Sequence, residues 1–255
     1  MTNHSQNWIV LKFGGTSVSS LSNWKNIASI LQQRLAEGFK VCLVHSALSG
    51  VSNKLEKVIA LEESETVVEE IKKQHRMLAQ DLGLNADELL EEEFQELEQL
   101  ARGISLLQEA GYQVQARIMA LGELMSTKLG VAYLQRQGIE AVWKDARTIL
   151  QSVPVENASE KSLIMSAVCD TDKDEELQQK LAAESDLIIT QGYIASNSDG
   201  NTVVLGRGGS DVSAAYFSAK LSAERLEIWT DVPGMFSSNP HEIPSARLLN
   251  QLSLC

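Results

Sequence analysis

Residues 202–221 read "TVVLGRGGSDVSAAYFSAKL". An apolar run enters a hexapeptide with three glycines, one arginine and one aspartate, and an alanine-rich run follows. The order is that of a buried strand, a loop and a helix. Glycine is the residue most costly to order, so its concentration here needs a reason. Ser210 or Asp211 can cap the helix, which would make the loop an ordinary turn. Alternatively, backbone must approach something anionic, since a helix N-terminus is a ready anion site. Arg207 in the same loop can fork onto a carboxylate. The glycine spacing is not that of the dinucleotide fingerprint.

Outward from this loop the chain alternates. "WIVLKF" (Trp8–Phe13) and "KVCLVHSA" read as strands, with the helical pattern "SNWKNIASILQQRLAEG" between them and Gly38 stopping it. Residues 53–137 are almost wholly helical in pattern. The acidic stretch "DELLEEEFQELEQL" keeps Leu90, Phe94, Leu97 and Leu100 on one face, and its charges read as a solvated face. "GIEAVWKDA", "SLIMSAVCD", "SDLIITQGYIA", "NTVVLG" and "ERLEIWTDV" read as further strands, with "DEELQQKLAAE" a helix and "SNSDGN" a hairpin-like turn. Strands alternating with helices predict an α/β chain with a mainly parallel sheet.

Such sheets gather their sites at the carboxyl ends of the strands, and several loops there carry unusual chemistry. "KFGGTS" ends the first strand with Lys12, followed by Gly14 and Gly15, whose amides can come close to phosphate oxygens. It is not a Walker loop, because G-x-x-x-x-G-K-[ST] is absent. "WTDVPG" ends the last strand with Thr230 and Asp231 before a tight turn. "HSALSGVSN" gathers Ser46, Ser49 and Ser52. "ALGELMSTKL" sets Glu123 among apolar residues, where a carboxylate needs a cationic partner or a cavity. Lysine with glycine amides suits the phosphates of a nucleotide, and arginine with glutamate suits an amino acid. Together they describe phosphoryl transfer, which depends on positioning and charge neutralisation more than on covalent chemistry.

The chain has 255 residues, 44% of them hydrophobic and 22% charged, with a net charge of −12. That is ordinary globular composition. The acidic balance argues against a nucleic-acid partner. Three distant cysteines and four scattered histidines give neither a disulfide framework nor a metal-binding pattern, and no metal ligands are predicted. No signal peptide and no membrane span is legible, so a cytoplasmic protein without membrane association is expected.

"KFGGTSV", "GELMST", "GRGGSD" and "WTDVPG", in this order, resemble the aspartate kinases of the amino acid kinase family. The resemblance runs from Trp8 to about Arg247. It implies a three-layer α/β/α sandwich around a mainly parallel sheet. It also implies phosphorylation of the β-carboxylate of L-aspartate by ATP with Mg2+, giving 4-phospho-L-aspartate, the first step toward lysine, threonine and methionine. On the matching positions, Lys12 neutralises the transferring phosphoryl group, Gly14 and Gly15 cradle phosphate, and Asp211 orients the lysine. Ser46, Ser52 and Ser210 line the aspartate side. Glu123 takes the substrate ammonium, Arg207 its α-carboxylate, and Tyr193 offers backbone. Thr230, Asp231 and Phe236 hold the nucleotide, Phe236 standing where relatives commonly have tyrosine. The family's second phosphate lysine and its ACT regulatory domains have no match here. The expectation is one catalytic domain over residues 1–255, cut short at its C-terminal side and homo-oligomeric. "LVHSALSGVSN" and "EIWTDVPGMFSSNP" are similar to the kinase half of bifunctional aspartate kinase/diaminopimelate decarboxylases. A binding module without catalysis, or another acyl-phosphate kinase of the same fold, are the competing expectations.

Overall fold

The computed structural model describes residues 7–206, 208–230, 234, 237–238, 242–243, 245–249 and 251. Five parallel strands form the main sheet: β1 (Trp8–Phe13), β2 (Lys40–His45), β3 (Val142–Lys144), β4 (Leu187–Gln191) and β7 (Arg225–Trp229), in the order β3-β4-β2-β1-β7. β5 (Ile194–Ser196) and β6 (Thr202–Val204) pair antiparallel in a separate hairpin. Trp8, Ile9, Val10 and Leu11 are wholly buried, as a parallel strand covered on both faces requires.

The helices are α1 (Leu21–Ala36), α2 (Val51–Ile59), α3 (Ser64–Asp81), α4 (Ala86–Leu89), α5 (Glu91–Leu107), α6 (Tyr112–Arg136), α7 (Glu160–Met165), α8 (Glu175–Glu184) and α9 (Gly209–Lys220). Trp24 of α1 meets His45 of β2 edge-on at 5.4 Å and Tyr133 of α6 at 6.0 Å, so α1 and α6 share one face of the sheet. Neighbouring residues of a strand point to opposite faces. Phe13 lies against α1 with Ile27 and Ile30, whereas Lys12 reaches Asp211 of α9. α9 therefore covers the other face, together with α8, and the three layers expected from the resemblance are present.

Local signals explain most boundaries. Ser20 caps α1 by accepting from the Asn23 amide, and Asp174 caps α8 by accepting from Leu177. The Asn197 side chain accepts from the amides of Asp199 and Asn201, closing the β5–β6 turn read from "SNSDGN".

Three expectations need correction. "SLIMSAVCD" is not a strand: Ser159 caps the short helix α7 by accepting from Ser162, and only the segment after it is extended, with Ala167 bonded to Val204. "SDLIITQGYIA" is not one strand. It breaks at Gly192–Tyr193, where Tyr193 has φ of 70°, and the chain leaves the main sheet for the hairpin. The acidic face of α5 is not wholly solvated, since Glu93 is buried against Lys128 at 2.6 Å. No helix among the described residues is long and apolar enough to cross a membrane.

Candidate functional site

The sheet order reverses direction at β1: the chain runs from it to β2 on one side and returns later as β7 on the other. Such a switch point leaves a crevice at the carboxyl ends of the strands. A cavity of about 640 Å3 lies there, lined by Lys12, Ser46, Ser52, Glu123, Tyr193, Ser210 and Asp211 among others. Seven residues singled out from separate loops of the sequence thus meet at one place.

Lys12 sits one residue from the end of β1, and its ammonium lies 2.6 Å from the Asp211 carboxylate in the first turn of α9. Lys12 is largely covered while Asp211 is half exposed. The lysine is thereby aimed across the crevice. A Cβ on Gly14 would lie 3.8 Å from the Lys12 ammonium, and one on Gly15 would lie 2.7 Å from the Ala47 carbonyl. Gly15 is therefore required by the close approach of the first loop to the second. Ser46 follows β2 directly, and its amide is bonded to the Phe13 carbonyl. Ser52 belongs to the first turn of α2.

Glu123 is the most constrained group. It is 3% exposed, its Oε1 accepts from the Ala47 amide at 3.4 Å, and its Oε2 has no protein partner. Burial pushes its carboxyl up to about 8. A half-satisfied carboxyl on a cavity wall is what an incoming cation would complete.

Gly206 (φ 73°) and Gly208 (φ 75°) both have left-handed backbone, a conformation that L side chains rarely adopt. A Cβ at Gly209 would lie 2.5 Å from the Tyr193 ring, and one at Gly192 would lie 2.6 Å from Ser210. These glycines let the β4 turn and the start of α9 interlock. The Tyr193 amide donates to Ser213 Oγ at 2.7 Å and its carbonyl accepts from Leu205 at 2.8 Å. Its amide is therefore already engaged within the protein, while the residue itself lines the cavity. Burial, with the nearby Glu123 and Glu56, pushes the Tyr193 phenol up to about 12.

A second cavity of about 510 Å3 lies on the other side of the glycine loop, lined by Phe13, Thr16, Ser17, Asn23, Trp229 and Thr230 among others. Phe13 and Trp229 stack at 5.9 Å beneath it. Thr230 thus lines a different cavity from the one that Lys12, Glu123 and Asp211 line. Arg207, Asp231 and Phe236 lie outside the described residues.

The sequence reading missed Glu56, Met119, Met165 and Ser166, which also line the larger cavity. Two were findable: Glu56 is one turn beyond Ser52, and Met119 one turn before Glu123. Met165 and Ser166 were hidden by reading their segment as a strand.

The model of the amino acid kinase family matches residues 7–254. The chain belongs to the amino acid kinase family. Within that family it is 31% identical to the lysine-sensitive aspartokinase 3 of Escherichia coli, over 96% of this chain and 54% of that protein. It is likewise 31% identical to a bifunctional aspartokinase/homoserine dehydrogenase of Buchnera aphidicola, over 96% of this chain and 30% of that one. The crystal structure of Escherichia coli aspartokinase III in complex with aspartate and ADP superposes with a TM-score of 0.76 at 28% identity, over 94% of this chain and 53% of the other. This member of the family therefore spans about half the length of the aspartokinase, and less of the bifunctional relative.

Proposed function

We propose that this chain carries the catalytic site of an aspartate kinase, transferring the γ-phosphoryl group of ATP to the β-carboxylate of L-aspartate. The observation that carries this reading is the buried Glu123 carboxyl with an unpartnered oxygen, on the wall of the cavity that also holds the Lys12–Asp211 pair. An amino acid presents a cation to the first and a reacting carboxylate to the second. The aspartate and ADP of the Escherichia coli complex support the same pairing of ligands.

In this reading L-aspartate occupies the larger cavity, with its ammonium on Glu123 and its flanks on Ser46, Ser52 and Ser210. Arg207 takes the α-carboxylate. ATP lies across Gly14 and Gly15, toward Thr230, Asp231 and Phe236. A β-carboxylate oxygen attacks the γ-phosphorus, the bond to the bridging oxygen of ADP breaks, and 4-phospho-L-aspartate forms. The acceptor is ionised at neutral pH, so no general base is needed. Lys12 offsets charge on the phosphoryl oxygens as the transfer proceeds. Asp211 holds the lysine in place.

Among the described residues no group of three His, Cys, Asp or Glu side chains is placed to hold a metal. Asp211 is a single half-exposed carboxylate beside the loop. That donor set fits Mg2+ carried mainly on nucleotide phosphates, as is usual for this hard ion. When bound it supplies further charge neutralisation. L-aspartate and ATP are cytoplasmic metabolites, and we assign the enzyme to that compartment and to amino-acid biosynthesis.

The test is ADP release from ATP and Mg2+ with L-aspartate, L-glutamate or N-acetyl-L-glutamate as acceptor. Turnover dependent on L-aspartate, trapped as the hydroxamate of 4-phospho-L-aspartate, is expected. Equal turnover with L-glutamate would reassign the acceptor, and nucleotide binding without turnover would reduce the chain to a binding module.

A further inference from the structure

The last row of the main sheet is Trp229, Phe13, His45 and Gln191, in register across β7, β1, β2 and β4. On their shared face, His45 and Gln191 are polar and wholly buried. Both meet α6, one turn beyond Glu123. Gln191 Nε2 donates to Thr127 Oγ1 at 2.8 Å, and the indole of Trp143 in β3 donates to the same oxygen at 2.9 Å. Thr127 Oγ1 in turn lies 2.9 Å from the Glu123 carbonyl and 3.2 Å from that of Leu124, to which it donates. The hydroxyl proton and both lone pairs are thus engaged. Gln191 Oε1 is also occupied, accepting from the Ala146 amide at 2.7 Å. Next to Thr127, Ser126 Oγ lies 3.3 Å from His45 Nδ1.

Thr127 and Gln191 are buried with their oxygens partnered, while His45 Nε2 beside them is not, and a partnered polar pair of this kind fixes one arrangement better than apolar contact of the same area. This one ties the Glu123 turn of α6 to the carboxyl end of β4. Tyr193, two residues beyond Gln191, lines the same cavity, and Gly192 between them packs against Ser210 of that lining. We infer that Thr127, clamped by Gln191 and Trp143, is a positioning residue that sets where the Glu123 carboxylate meets the substrate ammonium. The inference rests on the reading of Glu123 given under Proposed function. Thr127 itself is wholly buried and is not among the residues lining the cavity, so it acts only through Glu123.

Thr127→Val keeps the shape and removes the hydroxyl, and Thr127→Ser restores it. In the valine variant KM for L-aspartate should rise about 10- to 100-fold, the range a displacement near one ångström produces. KM for ATP should stay within about twofold, because the nucleotide side is held by other loops. Thr127→Ser should return to near wild type. Trp143→Phe, which deletes one donor at the sheet edge, should shift KM for L-aspartate in the same direction by less, and serves if the valine variant does not fold.

A second readout needs no turnover. The Glu123 carboxyl, assigned in 13C spectra by its loss in Glu123→Gln, should titrate near 8 in the wild type and lower in Thr127→Val, as the loosened carboxylate gains water. If the wild type does not use L-aspartate, the functional reading fails and this titration still decides the inference. A folded Thr127→Val with an unmoved Glu123 midpoint, or with aspartate and ATP affected alike, overturns it.

Discussion

The proposed chemistry rests on two side chains of the cavity, and they differ in what surrounds them. Lys12 has its counter-charge in the protein, from Asp211 at 2.6 Å. Glu123 has none and leaves Oε2 unpartnered. Lys12→Met should lower kcat by about 10²–10³, the cost of one preorganised charge contact to a transition state, while KM for L-aspartate changes little. Steady-state rates at saturating ATP check this, and near-wild-type turnover would remove Lys12 from the mechanism. Glu123 predicts a pH dependence with a definite sign. Burial raises its pKa to about 8, so at lower pH the carboxyl is neutral and must lose a proton before it can pair with an ammonium. Apparent affinity for L-aspartate should therefore weaken by up to about tenfold per unit as pH falls below about 8, and level off above it. The linked effect on folding runs the other way. A raised carboxyl pKa makes the folded state lose stability as pH rises from the ordinary value toward 8, with no further change beyond. Glu123→Gln should abolish the slope in KM between pH 6 and 8, and a slope that survives would assign it to another group. That the sequence pointed to Glu123 at all follows from its setting, a lone carboxylate in "ALGELMSTKL". That its second oxygen is unpaired could not be read there, because the Ala47 contact depends on a loop 76 residues away.

Elements were legible where one period runs long enough to exclude the other. Buried β1 and β2 read as strands, and α6 as helix, from uninterrupted runs. The six residues of α7 did not, because Leu163 and Ile164 fit either period in so short a run and the deciding signal is the Ser159 cap. The break in β4 was hidden for a different reason. Tyr193 takes a left-handed conformation that β-rich flanks give no hint of, and only its amide bond to Ser213 on α9 explains it. The glycines at element junctions separate two causes that sequence alone confounds. Gly38, between α1 and β2, has φ of 87° and open space where a Cβ would go. Gly38→Ala should cost only backbone strain, about 1–2 kcal/mol, and leave KM values unchanged. Gly192 has no such φ, but a Cβ there would lie 2.6 Å from Ser210 Cβ and 2.8 Å from its Cα. Gly192→Ala should push α9 away from the β4 turn and raise KM for L-aspartate. Thermal melts beside steady-state kinetics distinguish the two. Equal kinetic damage in both variants would mean that the interlock of turn and helix does not set the cavity.

At the scale of the whole molecule, the layers had to be inferred from alternation, but the place where they lock together was invisible in the sequence. α1, α6 and β2 converge at Gly130, where a Cβ would lie 2.4 Å from Trp24 and 2.9 Å from His45 Nε2. Trp24 is wholly buried, its indole donates to the Val18 carbonyl at 2.9 Å, and its ring meets both His45 and Tyr133. Nothing local in "KLGVAYL" marks this glycine, because its conformation is helical and its reason is a tryptophan 106 positions earlier. Replacing it forces α6 away from α1 or turns the indole out of its hydrogen bond. Overpacking of this kind costs about 1–3 kcal/mol. In a chain of this length that lowers the melting temperature by about 2–4 °C per kcal/mol. Gly130→Ala should therefore melt several degrees below wild type. The cause is testable by relieving the clash from the other side. Trp24→Leu alone should also destabilise, by opening space and losing the indole bond. In Gly130→Ala/Trp24→Leu the new methyl fills part of that space, so the loss should be smaller than the sum of the two, by a coupling of about 0.5–3 kcal/mol. Denaturant melts of the four proteins measure that difference. Additive losses would show that α1 and α6 do not meet at Gly130 as tightly as the structure has them.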